Sequence, residues 1–168
     1  EGRITHLVAS ASTGGTLCGT GKYLIEQNPD LKIIATDAYG SVLKKYHETG
    51  VYDPNEIYSY QMEGVGKNII PANFDFSIIQ QFVKVTDKDS AIKARELALS
   101  DGILAGYSSG ATLQCLDQIK DQLKPEDVVV LIFASHGTKY VTKIFSDQWM
   151  RSQGFMEPEE TLESLEIR

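Results

Sequence analysis

The residues best suited to chemistry in this 168-residue chain are Ser12, Thr13, Gly14, Gly15 and Thr16. Small residues at a turn let several backbone N–H groups converge on one point, and the hydroxyls of Thr13 and Thr16 add two donors. A helix starting directly after them adds the positive end of its dipole. Such a turn seats a phosphate. Two common phosphate motifs fail on spacing. A Walker loop needs Gly, four residues, then Gly-Lys-Ser/Thr. Gly21-Lys22 is present, but Thr16 stands where the first Gly belongs and Tyr23 replaces the magnesium-binding hydroxyl. No G-x-G-x-x-G fingerprint starts at Ser12, Gly14 or Gly15. Asp37, about 20 residues on, sits where a ribose-binding carboxylate belongs, so a nucleotide reading stays open. A close-packed strand–helix turn without any ligand also stays open.

Two further segments carry polar groups in suggestive patterns. Ser108 and Ser109 precede an expected helix, and one of them suits its N-cap. Glu63-Gly64-Val65-Gly66 sets two glycines in a polar stretch, which reads as a flexible turn. His6, His47 and His136 show no metal-ligand spacing with cysteine or carboxylates, so no metal site is expected. No Ser-His-Asp arrangement emerges.

The elements that must position these groups alternate. Apolar runs predict strands at Ile4–Ala9, Lys32–Thr36, Phe82–Val85 and Val128–Phe133. Helices are expected at Gly15–Gln27, Asp87–Ser100 and Gly110–Gln122. Pro29 stops the first through the restriction it places on Asn28, and Thr86-Asp87 can cap the second. The fold class is therefore α/β, a mainly parallel sheet with helices on both faces. Hydrophobic residues make up 42% and charged residues 23%, ordinary values for a soluble globular domain. Net charge is −7 with no basic stripe, which argues against nucleic acid. No apolar run is long enough for a membrane span, and no signal peptide is evident. Cys18 and Cys115 read as free thiols in a reducing cytoplasm.

Four segments together resemble the cysteine synthase and cystathionine β-synthase family. Ser12-Thr13-Gly14-Gly15-Thr16 resembles the family's G-T-G-G-T loop, with Ser12 at the first Gly. Gln61-Met62-Glu63-Gly64-Val65-Gly66 resembles its E-G-I-G loop, followed by Ile70-Pro71-Ala72-Asn73-Phe74-Asp75. Gly106-Tyr107-Ser108-Ser109-Gly110 resembles its G-x-S-S/A-G segment. Tyr140 and Lys143-Ile144-Phe145-Ser146-Asp147-Gln148-Trp149-Met150 resemble the end of a cystathionine β-synthase catalytic core. The stretch Ala134-Ser135-His136-Gly137-Thr138-Lys139 departs from the pattern, since relatives often carry Pro-Asp first and an Arg near Lys139.

The resemblance implies the large-domain portion of a tryptophan synthase β-subunit-like fold and pyridoxal 5′-phosphate as cofactor. It assigns Ser12, Thr13, Gly14, Gly15 and Thr16 to the cofactor phosphate, Ser108 to the pyridine nitrogen, and Glu63, Gly64, Val65 and Gly66 to a mobile loop at the substrate entrance. The family needs a Schiff-base lysine in an S-x-K motif. No lysine here sits in one, so that residue is expected upstream and this chain holds no catalytic residue of its own. Residues 1–150 are expected to be the carboxyl-terminal, cofactor-binding part of a catalytic core, and 151–168 an acidic linker or tail. The implied parent is a cytoplasmic homo-oligomer, a dimer or higher, that condenses serine with homocysteine. Glu63 matches the cystathionine β-synthase version of its loop, which favours homocysteine over sulfide. Cysteine synthase (O-acetylserine sulfhydrylase) chemistry is the near alternative. A non-catalytic Rossmann-like nucleotide or anion module is the alternative of another class.

Overall fold

The computed structural model describes residues 3–157. Four strands, β1 (His6–Ser10), β2 (Lys32–Ala38), β3 (Gln81–Val85) and β4 (Val129–Leu131), form one sheet in the order β3-β2-β1-β4. Every pairing is parallel, with Val8 opposite Ile34 and Leu131, and Ala35 opposite Phe82. The intervening helices are α1 (Gly15–Gln27), α2 (Leu43–Thr49), α3 (Asp87–Asp101) and α4 (Tyr107–Ile119), and a short α5 (Asp147–Ser152) follows β4.

Side-chain alternation along the strands divides the core into two layers. Leu7, Ala9, Ile33 and Ala35 face α1 and α2 and pack with Leu17, Leu43, Phe74 and Phe82. Val8 and Ile34 face the other way and pack with Ala91 and Ala94 of α3 and Ala111, Cys115 and Ile119 of α4. Both faces of the sheet are thus covered, as parallel strands require.

Local signals set the helix ends. Thr86 caps α3 by accepting from the Asp89 N–H at 3.1 Å, and Gly102 closes it with φ +69°. Asn28, ahead of Pro29, ends α1 in an extended conformation. The α3–α4 contact depends on Gly110. A Cβ there would lie 2.1 Å from the Ser90 carbonyl oxygen and 2.8 Å from Ala94 Cβ.

Two expectations change. α4 starts at Tyr107 rather than Gly110 and ends at Ile119, after which Lys120–Gln122 tightens into a 3₁₀ turn. The run Val128–Phe133 supplies only the three-residue β4, whose residues are half-buried. Among the described residues β4 is an edge strand that pairs with β1 alone, so its apolar length is not matched by burial.

Beyond β4 the chain returns to the α3–α4 layer. Arg95, 3% exposed, donates from Nη1 to the Ile144 carbonyl at 2.8 Å and from Nη2 to Asp147. Trp149 meets Tyr107 and Phe155 edge-on, and Met156 is buried, so packing continues past residue 150. Most of the acidic tail, residues 158–168, lies outside the described residues.

Gly110→Ala is expected to lower unfolding stability by about 1–3 kcal/mol, because the added methyl overpacks a backbone contact. The check is the denaturant midpoint at unchanged slope.

Candidate functional site

The site lies at the carboxyl ends of the strands, where ligands of open parallel sheets bind. β1 delivers the chain to Ala11, whose N–H donates to the Thr36 carbonyl at 2.8 Å. Ser12 and Thr13 follow, and Gly14 turns with φ +92° into α1. A side chain at Gly14 would clash, since its Cβ would lie 2.8 Å from Phe74 Cα and 2.9 Å from the Asn73 oxygen. Ser12 needs no such freedom. Among the described residues only glycines have positive φ, so serine fits the position where the family carries its first glycine.

The Gly14 carbonyl accepts the Cys18 N–H at 2.8 Å, which closes the first turn of α1. The preceding amides at the helix start have no intrahelical acceptor. Beside this helix start lies a cavity of about 120 Å³ lined by Ser10, Ser12, Thr13, Gly14, Thr16 and Gly64, with Ala9, Leu17, Ile132 and Ala134 as its apolar wall; Gly15 is not part of the lining. No carboxylate and no lysine lines it. Lys22 lies elsewhere, exposed and paired with Asp75 at 2.8 Å, which holds the Asp75 carboxyl down at about 2. A larger cavity of about 730 Å³ opens at the opposite strand ends among Ile4, Tyr23, Leu24 and Leu31. Arg3 is its one charged lining residue, beside Gln27 and Asn28, and the Asn28 amide already donates to the Ile4 carbonyl at 3.0 Å.

The loop Glu63–Gly66 is fastened at both sides. The N–H groups of Gln61 and Met62 donate to the Asp87 carboxylate at 2.8 and 3.0 Å, at the start of α3. Burial pushes the Asp87 carboxyl above the usual range, against these two amide bonds, which favour its charge. At the other side the Gly66 N–H donates to the Ala11 carbonyl at 2.6 Å. Met62 and Val65 are buried, and exposed Glu63 pairs with Lys143. Gly64, with φ +82°, touches the phosphate-sized cavity, and a Cβ there would come 3.9 Å from Ser108 Cβ.

Ser108 and Ser109 lie within the first turn of α4, and the cap position is Gly106, without a side-chain cap. The N-cap expected of one serine is therefore not used. Ser109 is fully buried and its hydroxyl donates to the Ser135 carbonyl at 3.4 Å. Ser108 is 5% exposed, with Oγ 3.2 Å from Ser135 Oγ. The helix starts early because the segment around Ser135 docks on it. Gly106 N–H donates to the Ser135 carbonyl at 2.8 Å, Gly137 N–H to the Leu104 carbonyl at 2.9 Å, and Ala105 bridges His136.

Asp37 does not serve the nucleotide reading. It is fully buried, and Oδ2 accepts the Lys44 N–H at 3.1 Å in the first turn of α2. Burial pushes its carboxyl upward. A ribose has no route to it. Among the described residues no group of His, Cys, Asp or Glu is arranged to hold a metal ion. Cys18 and Cys115 are both free and buried.

The chain is similar to several known proteins. Residues 1–135 match the family described as "Pyridoxal-phosphate dependent enzyme". The chain belongs to that family. It is 39% identical over 158 residues to a cystathionine beta-synthase of Apis mellifera, covering 94% of this chain and 31% of that protein. It is 33% identical over 152 residues to a cysteine synthase of Buchnera aphidicola subsp. Acyrthosiphon pisum, covering 88% of this chain and 47% of that one. The chain thus spans a third to a half of these relatives. The crystal structure of an O-acetylserine dependent cystathionine beta-synthase from Helicobacter pylori superposes with a TM-score of 0.74 at 30% identity, over 84% of this chain and 44% of that one. The cofactor of this family is pyridoxal 5′-phosphate, and the residues present fit it. The cavity is lined by the hydroxyl-bearing residues Ser10, Ser12, Thr13 and Thr16 and by no carboxylate, and Gly14 lets the turn pack against the Asn73–Phe74 backbone where a Cβ would clash.

Three contributors escaped the sequence reading: Asp87 as the clasp of the Gln61–Met62 backbone, Ser135 beside Ser108, and Lys143 opposite Glu63. Each is a contact between distant segments. The departure from the family pattern at Ser135 was the one sequence signal.

Asp87→Ala removes two acceptors, each contributing about 0.5–1.5 kcal/mol net. Amide exchange at Gln61 and Met62 is expected to quicken by about tenfold or more, and hydrogen–deuterium exchange measures it. Unchanged protection would place the loop's anchor elsewhere.

Proposed function

We propose that this chain is the carboxyl-terminal part of the catalytic core of a β-replacement enzyme that joins serine to homocysteine. The reading rests chiefly on Gly64, which borders both the cavity at Ser12–Thr16 and Ser108. One loop thereby adjoins a seat for a phosphate and a hydroxyl suited to a ring nitrogen. In this reading the amides and hydroxyls of Ser12, Thr13, Gly14, Gly15 and Thr16 hold the cofactor phosphate. Pyridoxal phosphate, when bound, supplies the electron sink for the substrate's α-carbon. Ser108 offers the ring nitrogen a neutral hydroxyl. Unlike a carboxylate it does not favour protonation there, so the ring stays a moderate sink and loss of the β-substituent is favoured over transamination. Glu63–Gly66 borders the substrate, and Gly64 lets the backbone lie close to it.

The net reaction replaces the serine hydroxyl with the homocysteine sulfur and releases water. Glu63 and the cystathionine beta-synthases among the relatives support homocysteine as acceptor. The cysteine synthase relative supports sulfide as the alternative. The Helicobacter pylori relative is named for O-acetylserine, so acetate is the alternative leaving group. We assign the lysine that binds the cofactor covalently to a segment outside this chain, and the whole protein to a cytoplasmic homo-oligomer. Among the described residues no helix is long and apolar enough to cross a membrane.

Calorimetry with pyridoxal phosphate and with inorganic phosphate tests the site. The two are expected to compete. Gly14→Ala is expected to weaken both by about tenfold or more, the equivalent of about 1–3 kcal/mol of backbone strain. Binding unaffected by Gly14→Ala would remove the phosphate from this loop.

Catalysis is tested on this chain alone, with serine or O-acetylserine as donor and homocysteine or sulfide as acceptor. No turnover is expected, and borohydride should trap no unique lysine. Turnover with a single labelled lysine would place the covalent link inside the chain.

A further inference from the structure

Ser135 stands next to the one side chain that the proposed function gives to the cofactor ring. Its backbone is fixed first. The Ser135 carbonyl accepts the Gly106 N–H at 2.8 Å and the Ser109 hydroxyl at 3.4 Å. On the far side of the same segment Gly137 is bonded to Leu104, and a Cβ at Gly137 would clash with Leu104 Cγ at 2.7 Å. Its side chain is fixed next. A Cβ on Gly106 would fall 2.1 Å from Ser135 Oγ, so the absence of a side chain at Gly106 makes the room that this hydroxyl fills. The result is two hydroxyls, Ser108 Oγ and Ser135 Oγ, held 3.2 Å apart by the same helix start.

Each serine hydroxyl has one proton and two lone pairs. Within the pair, one proton is used and the other is free. Ser109 cannot supply the second partner, because its own proton goes to the Ser135 carbonyl. We propose that Ser135 is a positioning residue that donates to Ser108 Oγ, which leaves the Ser108 proton for the unprotonated ring nitrogen of a pyridine phosphate. The inference rests on the reading of Ser108 as the ring-nitrogen partner. The chain Ser135 to Ser108 to ring nitrogen is cooperative, since a hydroxyl that accepts a bond becomes a better donor. It also has a direction. With Ser135 donating, Ser108 meets a neutral nitrogen with its proton. With Ser135 absent, the Ser108 rotor is free to accept from a protonated nitrogen instead.

The probe is 4-deoxypyridoxine 5′-phosphate, which carries the phosphate and the ring nitrogen but no aldehyde, so no lysine is needed. Calorimetry on this chain compares it with inorganic phosphate in the wild type, Ser108→Ala, Ser135→Ala and Ser135→Thr. The ¹⁵N shift of the labelled pyridine nitrogen, read at one fixed alkaline pH, reports its protonation in each complex. Ser135→Ala keeps the backbone carbonyl and is expected to weaken the probe about threefold to tenfold, the effect of one hydrogen bond, while inorganic phosphate is unchanged. Its bound nitrogen should also move toward the protonated shift. Ser135→Thr keeps a hydroxyl and should restore both. If the probe weakens in Ser108→Ala but neither readout moves in Ser135→Ala, the proposal falls and the cofactor reading stands. If the wild type binds phosphate but gains nothing from the pyridine ring, both fall. If Ser135→Ala weakens inorganic phosphate equally, or Ser135→Thr fails to restore the nitrogen shift, Ser135 is a packing residue and the proposal falls.

Discussion

The peptide at Ala11 holds the arrangement together. Its N–H bonds the Thr36 carbonyl at the end of β2, and its carbonyl receives the Gly66 N–H at 2.6 Å. One residue thus ends the central strand, opens the Ser12–Thr16 turn and carries the loop at Glu63–Gly66. The sheet transmits rigidity to that point. β1 pairs with β4 through Val8 and with β2 through Ser10, so its end cannot shift without breaking the β2 ladder. A site whose parts come from separate loops keeps its geometry because its loops share this anchor.

Small side chains do the rest. Gly14 lies against the Asn73–Phe74 backbone, Gly66 against Ser41 and Ala38, and Gly106 against Ser135. At each of these positions a Cβ would fall within 3.0 Å of a neighbouring atom. The site is assembled from backbone brought close to neighbouring backbone at Gly14 and to side chains at Gly66 and Gly106, and the polar side chains lining its cavity are hydroxyls rather than charged groups. Such donors lose little conformational freedom when they engage a ligand, so the geometry is present before the ligand arrives.

Local patterns were legible and long-range contacts were not. α1 runs from Gly15 to Gln27 as its small-residue start and Pro29 imply, and α3 begins after the Thr86 cap. The four parallel strands and their two-sided cover follow from apolar runs separated by helical periods. The start of α4 did not. Ser108-Ser109-Gly110 looks like a cap, yet docking of residues 135–137 onto Leu104–Gly106 supplies bonds that carry the helix back to Tyr107. Asp37 looked like a ligand residue because strand-end carboxylates often are, and only the fold shows that α2 closes over it. In the candidate site the Ser12–Thr16 turn and Ser108 were visible as residue types. The Asp87 clasp and the Ser135 hydroxyl were not, since no periodicity links positions 61 and 87 or 108 and 135.

The neutrality of the cavity wall has a consequence for how an anion arrives. The chain carries a net charge of −7, yet none of that charge lines the Ser12–Thr16 cavity. Cys18, in the first turn of α1, adds none either, because burial pushes its thiol up and keeps it protonated. A dianion approaching this chain by itself is therefore repelled at long range and attracted only within the last few ångströms. Added electrolyte screens the first force, over a Debye length of about 10 Å at 0.1 M, and barely touches the second. Capture at this turn should quicken as ionic strength rises, the reverse of a site built from lysine and arginine.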